Sequence, residues 1–184
     1  MHNDRYTVRE LPFDEGGLAL YDAVFTNNGD PRDLNVLNWR YRDNSEKEKG
    51  RIFLAEDATK AETEEAGLYA MMGVSFRVDG EKVASAQSLD TLTDHRHRRQ
   101  GIFVWLAEET YRNFASAGGS LVYGFPNPNS FPAFSRKLDW QMLGSMPIVI
   151  RPMRTGFIFR KLGERFGLGQ WLGKLDIAIA NPRP

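Results

Sequence analysis

One segment constrains this chain more than any other, Thr91-Leu-Thr-Asp-His-Arg-His-Arg-Arg-Gln-Gly-Ile-Phe103. Upstream of it lies a β run. Downstream, Ile102, Phe103, Leu106, Tyr111 and Phe114 follow a helical period that stops at Ala117-Gly118-Gly119. A strand that passes through a positive turn straight into a helix leaves the first-turn N–H groups free at the positive end of the helix dipole. Such an end is a seat for phosphate or pyrophosphate. Gly101 lets a ligand approach the backbone closely, and Arg98 and Arg99 add charge. An anionic cofactor is expected there.

Around this segment the chain reads as alternating short elements. Tyr6 to Leu11 has the period of a half-buried strand, and Leu18, Leu20, Tyr21, Val24 and Phe25 follow a helical spacing that Asn27-Asn28-Gly29-Asp30-Pro31 ends. Leu34, Leu37, Trp39 and Tyr41 suggest a second short helix, and Arg51 to Glu56 a strand. Asp57 to Glu65 is polar and reads as a surface turn or a charged insertion. The runs on either side of Asp79-Gly80 predict a hairpin, its second strand ending near Leu92. Leu121 to Tyr123 predicts a short strand, Asn129 to Leu138 a short helix, and Gln141 to Met153 one or two strands broken at Pro147. This order implies a mixed α+β sheet with one parallel crossover near its centre.

Composition narrows the function. The 184 residues hold 24 basic and 24 acidic side chains and no cysteine, which fits one globular domain and excludes disulfides, thiol nucleophiles and cysteine metal sites. The charges are uneven: residues 1 to 90 carry 11 basic and 18 acidic groups, residues 91 to 150 carry 6 and 4, and residues 151 to 184 carry 7 and 2. The acidic first half argues against nucleic acid as a partner. The positive remainder suits an anionic small molecule. No signal peptide and no spanning apolar stretch is visible, so a cytoplasmic protein is expected.

The loop and its context resemble the GNAT superfamily of acyl-CoA-dependent N-acyltransferases, whose pyrophosphate loop reads Gln/Arg-x-x-Gly-x-Gly/Ala. Arg98, Arg99, Gln100, Gly101 and Ile102 fit it, and Phe103 departs at the last position. The family's element order matches from about residue 6 to 153. Trp39-Arg-Tyr41, Asp90-Thr-Leu-Thr93, Tyr123-Gly-Phe-Pro-Asn127 and Asn129-Ser-Phe resemble a branch associated with glycan or cell-surface polysaccharide synthesis. The resemblance implies a GNAT-like, mostly antiparallel twisted sheet with a central parallel splay, flanked by helices. It implies acetyl-CoA as co-substrate, a coenzyme A thioester held in the splay, and a small amine, in that branch an amino sugar, as acceptor. Backbone N–H groups of Leu92 and Thr93 correspond to the donors on the thioester carbonyl. Asn129 and Phe134 match positions that touch the pantetheine arm or the adenine side. Asp90 is the candidate base for the amine, with capping of a turn as its alternative. The family's proton-donating Tyr is replaced by Ser135, which is far less acidic than a phenol, so Tyr123 or solvent is the substitute donor. Without an effective acid, a non-catalytic acyl-CoA-binding module is the alternative to an enzyme.

Other patterns are weaker. His95 and His97 flank Arg96, two cationic neighbours oppose a divalent ion, and no third ligand is evident, so no metal is expected. The glycines at 167, 169 and 173 miss a phosphate-loop spacing, and no Gly-x-Ser-x-Gly elbow occurs. Trp39, Tyr41 and Phe125 are candidates for an aromatic acceptor wall, core packing being the alternative. The expected division is a GNAT-like domain over 1–156 and an amphipathic segment over 157–184 that packs on the domain, a partner or a second copy in a homodimer.

Overall fold

The computed structural model describes residues 5–60 and 63–146. It divides into one compact unit to Met142 and a second from Leu143 onward, so the sheet, its helices and the cleft below all belong to the first. Five strands lie in spatial order of sequence: β1 (Tyr6–Glu10), β2 (Arg51–Asp57), β3 (Glu64–Val78), β4 (Glu81–Thr93) and β5 (Leu121–Gly124). The first four are antiparallel and β5 joins β4 in parallel. Helix α1 spans Glu15–Thr26, α2 Leu34–Leu37, α3 Ile102–Ser116 and α4 Phe131–Lys137. A π turn over Asn38–Arg42 extends α2, so the second predicted helix is a composite. Gln141 to Met146 forms no strand, contrary to the expectation from the sequence, and the rest of that run and the segment 157–184 lie outside the described residues.

Alternation along the strands sorts the side chains onto two faces. Phe53, Ala55, Tyr69, Met71 and Ala86 meet Ile102, Leu106, Ala107 and Phe114 of α3. Ile52, Leu54, Leu68 and Ala70 meet Leu18, Tyr21, Val24 and Phe25 of α1, with Leu37 and Tyr41. Each large apolar side chain so enclosed contributes about 1.5–3 kcal/mol. Asp14 starts α1 by accepting from Gly17 N at 2.8 Å. The β3–β4 turn has Asp79 and Gly80 at φ 51° and 87°, the two left-handed positions that an Asp-Gly hairpin supplies.

One irregularity shapes everything downstream. Tyr69 pairs with Thr91 but Met71 pairs with Ser88, so Leu89 and Asp90 together oppose Ala70 in a β-bulge. The extra residue reverses the alternation of β4. Ala86 and Ser88 face α3, whereas Asp90 and Leu92 face α1.

Candidate active site

Pairing between β4 and β5 runs only from Ser85 with Leu121 to Ser88 with Gly124. Beyond that point the two chains diverge and leave a cleft of about 400 Å³, lined by β4 from Ser88 to Leu92 and by the stretch from Gly124 to Asn127. Phe134, Trp140, Asn129 and Ser130 line it on the α4 side, and Phe25, Asp30 and Arg32 on the other. Gly124 stands at the apex, where a Cβ would sit 3.1 Å from the Ser88 carbonyl oxygen and 3.2 Å from the Trp140 ring.

The open edge of β4 supplies backbone donors. Asp94 N donates to Ala66 O at 3.0 Å, so by strand alternation Leu92 also turns its backbone to β3. Thr91 and Thr93 therefore turn theirs to the open edge. Of the two expected donors, Leu92 lines the cleft but turns its backbone to β3, and Thr93 turns its backbone to the open edge but lies off the lining; Thr91 combines an open-edge backbone with a place in the lining.

At the other end of the cleft edge, β4 leads through a 3-10 turn over His95–His97 into α3. Arg98, Arg99, Gln100 and Gly101 are exposed there, with Arg99 at φ 65° and Gly101 at φ 79°. Gly101 caps α3 without a side-chain hydrogen bond, so first-turn N–H groups of Ile102 and Phe103 have no cap, and a Cβ on Gly101 would meet open space. An uncapped helix start beside two arginines fits a pyrophosphate. Asp94 anchors the turn from below, accepting from Arg96 N at 2.8 Å, from the Arg96 guanidinium and from Asn28. Burial works against its charge, but the Arg96 bonds prevail and hold its carboxyl well below the usual carboxylate range.

The expected catalytic side chains are dispersed. Asp90 does line the cleft, but its oxygens accept from Tyr21 Oη at 2.7 Å, Arg40 at 3.1 Å and Arg32 at 3.3 Å. It is an ion-paired anchor in this geometry. Burial pushes the Tyr21 phenol up, which keeps it a neutral donor. Ser135 donates to the Phe131 carbonyl at 3.0 Å, four residues back on α4, and does not line the cleft. Tyr123 also lies off the lining, donating to Gln87 at 3.1 Å and packing on Phe76 and Phe125. Of the aromatic candidates, Phe125 lines the cleft, Tyr41 is buried in the α1-side core and Trp39 is 66% exposed.

Pairing brings groups together that spacing along the chain could not show. His97 is buried beside Tyr6, with Nδ1 3.1 Å from its hydroxyl, and Nε2 3.5 Å from Glu64, while Asp57 completes a compact triad. His95 points away and is exposed, so the two histidines do not converge. Arg5 and Thr59 fill the Asp57 carboxylate, and Arg96 and Lys60 neutralise Glu64, which makes the triad a charge-paired clasp between β1, β2, β3 and the loop. Arg32 and Ser88, which line the cleft, and their partners Asp90, Tyr69 and Tyr111 were equally hidden as a group.

A mixed sheet splayed between its fourth and fifth strands, with an uncapped helix start at the edge of the splay, is the architecture of an acetyltransferase of the GNAT class. The chain belongs to that family: residues 15–143 match the family described as "Acetyltransferase (GNAT) domain". Among solved structures it is similar to a predicted acetyltransferase from Clostridium acetobutylicum with acetyl-CoA, at 10% identity and TM-score 0.62, over 79% of this chain and 96% of that one. It is similar to glucosamine-6-phosphate N-acetyltransferase from Arabidopsis thaliana, at 13% identity and TM-score 0.58, over 79% and 97%. An aminoglycoside acetyltransferase from an uncultured soil metagenomic sample, in complex with trehalose, aligns at 16% identity and TM-score 0.52, over 82% and 96%. These likenesses show the fold. No curated protein matches in sequence. Among the described residues, no helix is long and apolar enough to cross a membrane.

Proposed function

We propose that the protein transfers an acetyl group from acetyl-CoA to a primary amine of a small molecule, by direct attack within a ternary complex. The observation that carries this reading is the continuity of the splay with the helix start: the unpaired β4 edge beyond Ser88, then Arg98, Arg99 and the first turn of α3. The pyrophosphate takes the helix start, and the pantetheine arm lies along the open edge of β4 past Asn129 and Phe134. A thioester carbonyl there accepts from backbone N–H groups, which stabilise the oxyanion as it forms. Asp90 is held by Arg40 and by Arg32, which also lines the cleft, and the amine gives up its proton to water.

An amino sugar is the acceptor class to screen first. Its support is the branch resemblance, together with a structural neighbour named for glucosamine-6-phosphate and another named for aminoglycosides. The second reading, a non-catalytic acyl-CoA-binding module, is favoured by one observation, that neither Ser135 nor Tyr123 lines the cleft. A thiol-release assay with acetyl-CoA and a panel of amino sugars, amino acids and polyamines decides between them. Amine-dependent release of coenzyme A supports the enzyme, and binding with no release from any amine supports the module.

A further inference from the structure

A line of hydrogen bonds runs from Trp140 through the interior beneath α3 to Ser88 at the apex of the splay. Trp140 Nε1 lies 3.2 Å from Tyr111 Oη, which lies 2.5 Å from Tyr69 Oη, which lies 2.8 Å from Ser88 Oγ. Tyr69 is fully enclosed, Ser88 is 6% exposed, and both Ser88 and Trp140 line the cleft. Direction follows from chemistry. An indole N–H only donates, so the Tyr111 oxygen accepts. Each hydroxyl then passes its hydrogen to the next, Tyr111 to Tyr69 and Tyr69 to Ser88. Reversing the Ser88 link alone leaves the hydrogen of the fully enclosed Tyr69 without an acceptor, which buried hydroxyls rarely tolerate, and reversing both links leaves the Tyr111 hydrogen without an acceptor in this chain. One hydrogen remains, on Ser88, at the last residue of β4 that pairs with β5.

We propose that the Ser88 hydroxyl is the hydrogen-bond donor that receives the departing coenzyme A thiolate, with Tyr69, Tyr111 and Trp140 as positioning residues. This rests on the acyl-CoA reading above and fills the role that Ser135 and Tyr123 leave vacant. In the transfer, the amine nitrogen bonds to the carbonyl carbon, the C–S bond breaks, and its electron pair goes to sulfur. The proton shed by the amine ends on that sulfur. Ser88 lends a hydrogen bond while the negative charge is present and does not itself ionise. Burial holds the phenol of Tyr111 up at about 12, and that of Tyr69 well above its ordinary value. A phenol so weakened is a poorer acid than an alkyl thiol and does not protonate the thiolate. Donation to the sulfur is the service it sustains.

The test needs no acceptor. Coenzyme A is bound to the full chain, and its thiol ionisation is followed by ultraviolet thiolate absorbance, as the difference between protein with and without coenzyme A. Ser88→Ala is expected to raise the bound thiol's midpoint by about one pH unit, a tenfold change in ionisation constant. Ser88→Thr keeps the hydroxyl and the lower midpoint, and Tyr111→Phe, which releases the orientation, raises it by a smaller amount. Equal midpoints in the original protein and Ser88→Ala, with coenzyme A bound to both, overturn the proposal and leave the acyl-CoA reading standing. Failure of the original protein to bind coenzyme A overturns both. Should Ser88→Ala fail to fold, Tyr111→Phe reads the same chain, and an unchanged midpoint there overturns the positioning.

Discussion

Tyr21 on α1 donates its hydroxyl to Asp90 on β4 at 2.7 Å, across 69 residues of sequence. The β4 bulge creates this contact, because it turns Asp90 to the α1 face, where Arg32 and Arg40 also meet the carboxylate. Asp90→Ala would take this acceptor from the Arg40 guanidinium and the buried Tyr21 phenol and leave Arg32 with Asp30. The expected cost is about 2–3 kcal/mol of stability, measured by urea unfolding. Asp90→Asn keeps a carbonyl acceptor and loses less. An unchanged midpoint for Asp90→Ala would show that the anchor does not hold in solution.

Two adjacent glycines at the start of α1 have opposite expected responses to alanine. A Cβ on Gly17 would lie 2.0 Å from the Pro12 carbonyl oxygen, whereas on Gly16 its nearest neighbour is a side-chain oxygen at an ordinary 3.6 Å. Gly17→Ala forces the Pro12 turn off the helix and is expected to cost about 1–3 kcal/mol. Gly16→Ala is expected to be neutral or to stabilise by up to about 1 kcal/mol, by removing freedom from the unfolded chain. Thermal midpoints of the two variants, side by side, check both signs.

Acid should loosen the loop that leads from β4 into α3. The Arg5 bonds hold the Asp57 carboxyl below its ordinary value, and the Arg96 bonds do so for Asp94 against its burial. A folded carboxyl that ionises at lower pH than the unfolded one binds fewer protons, so its stabilisation is full above the unfolded value, near 4, and lost as pH falls below it. Thermal midpoints measured from pH 6 downward should therefore fall steeply below about pH 4. Asp94→Asn should be less stable at neutral pH and show a shallower acid decline.

Arg98 and Arg99 are exposed and should act on affinity with little effect on folding. Each substitution to alanine is expected to weaken acetyl-CoA binding by about 1 kcal/mol, roughly fivefold, and to flatten its salt dependence. Titration calorimetry at two salt concentrations measures both, and unchanged affinity in the double variant would remove the loop from the cofactor site.

The alternating elements and the glycine-capped start of α3 were legible because local signals specify them. Asp14 before an apolar stripe starts α1, Asp79-Gly80 closes the hairpin, and Gly101 opens α3. The bulge was not legible, since it exists only in the register between β3 and β4. Everything that depends on it was hidden with it: the turn of Asp90 toward Arg32 and Arg40, and the placing of Thr91 at the open edge. The Tyr69, Tyr111 and Ser88 hydroxyls stand on three elements, so no window of sequence unites them. Ser135 read as a catalytic position because its place on α4 matched, yet its hydroxyl is spent on the helix backbone.

The central claim is that the splay between β4 and β5, with the start of α3, binds acetyl-CoA. Calorimetric titration of the full chain with acetyl-CoA tests it most directly. The account predicts saturable one-to-one binding, on the order of micromolar, about −8 kcal/mol, weakened by salt and by the joint replacement of Arg98 and Arg99 with alanine. No heat of binding at millimolar acetyl-CoA would contradict it.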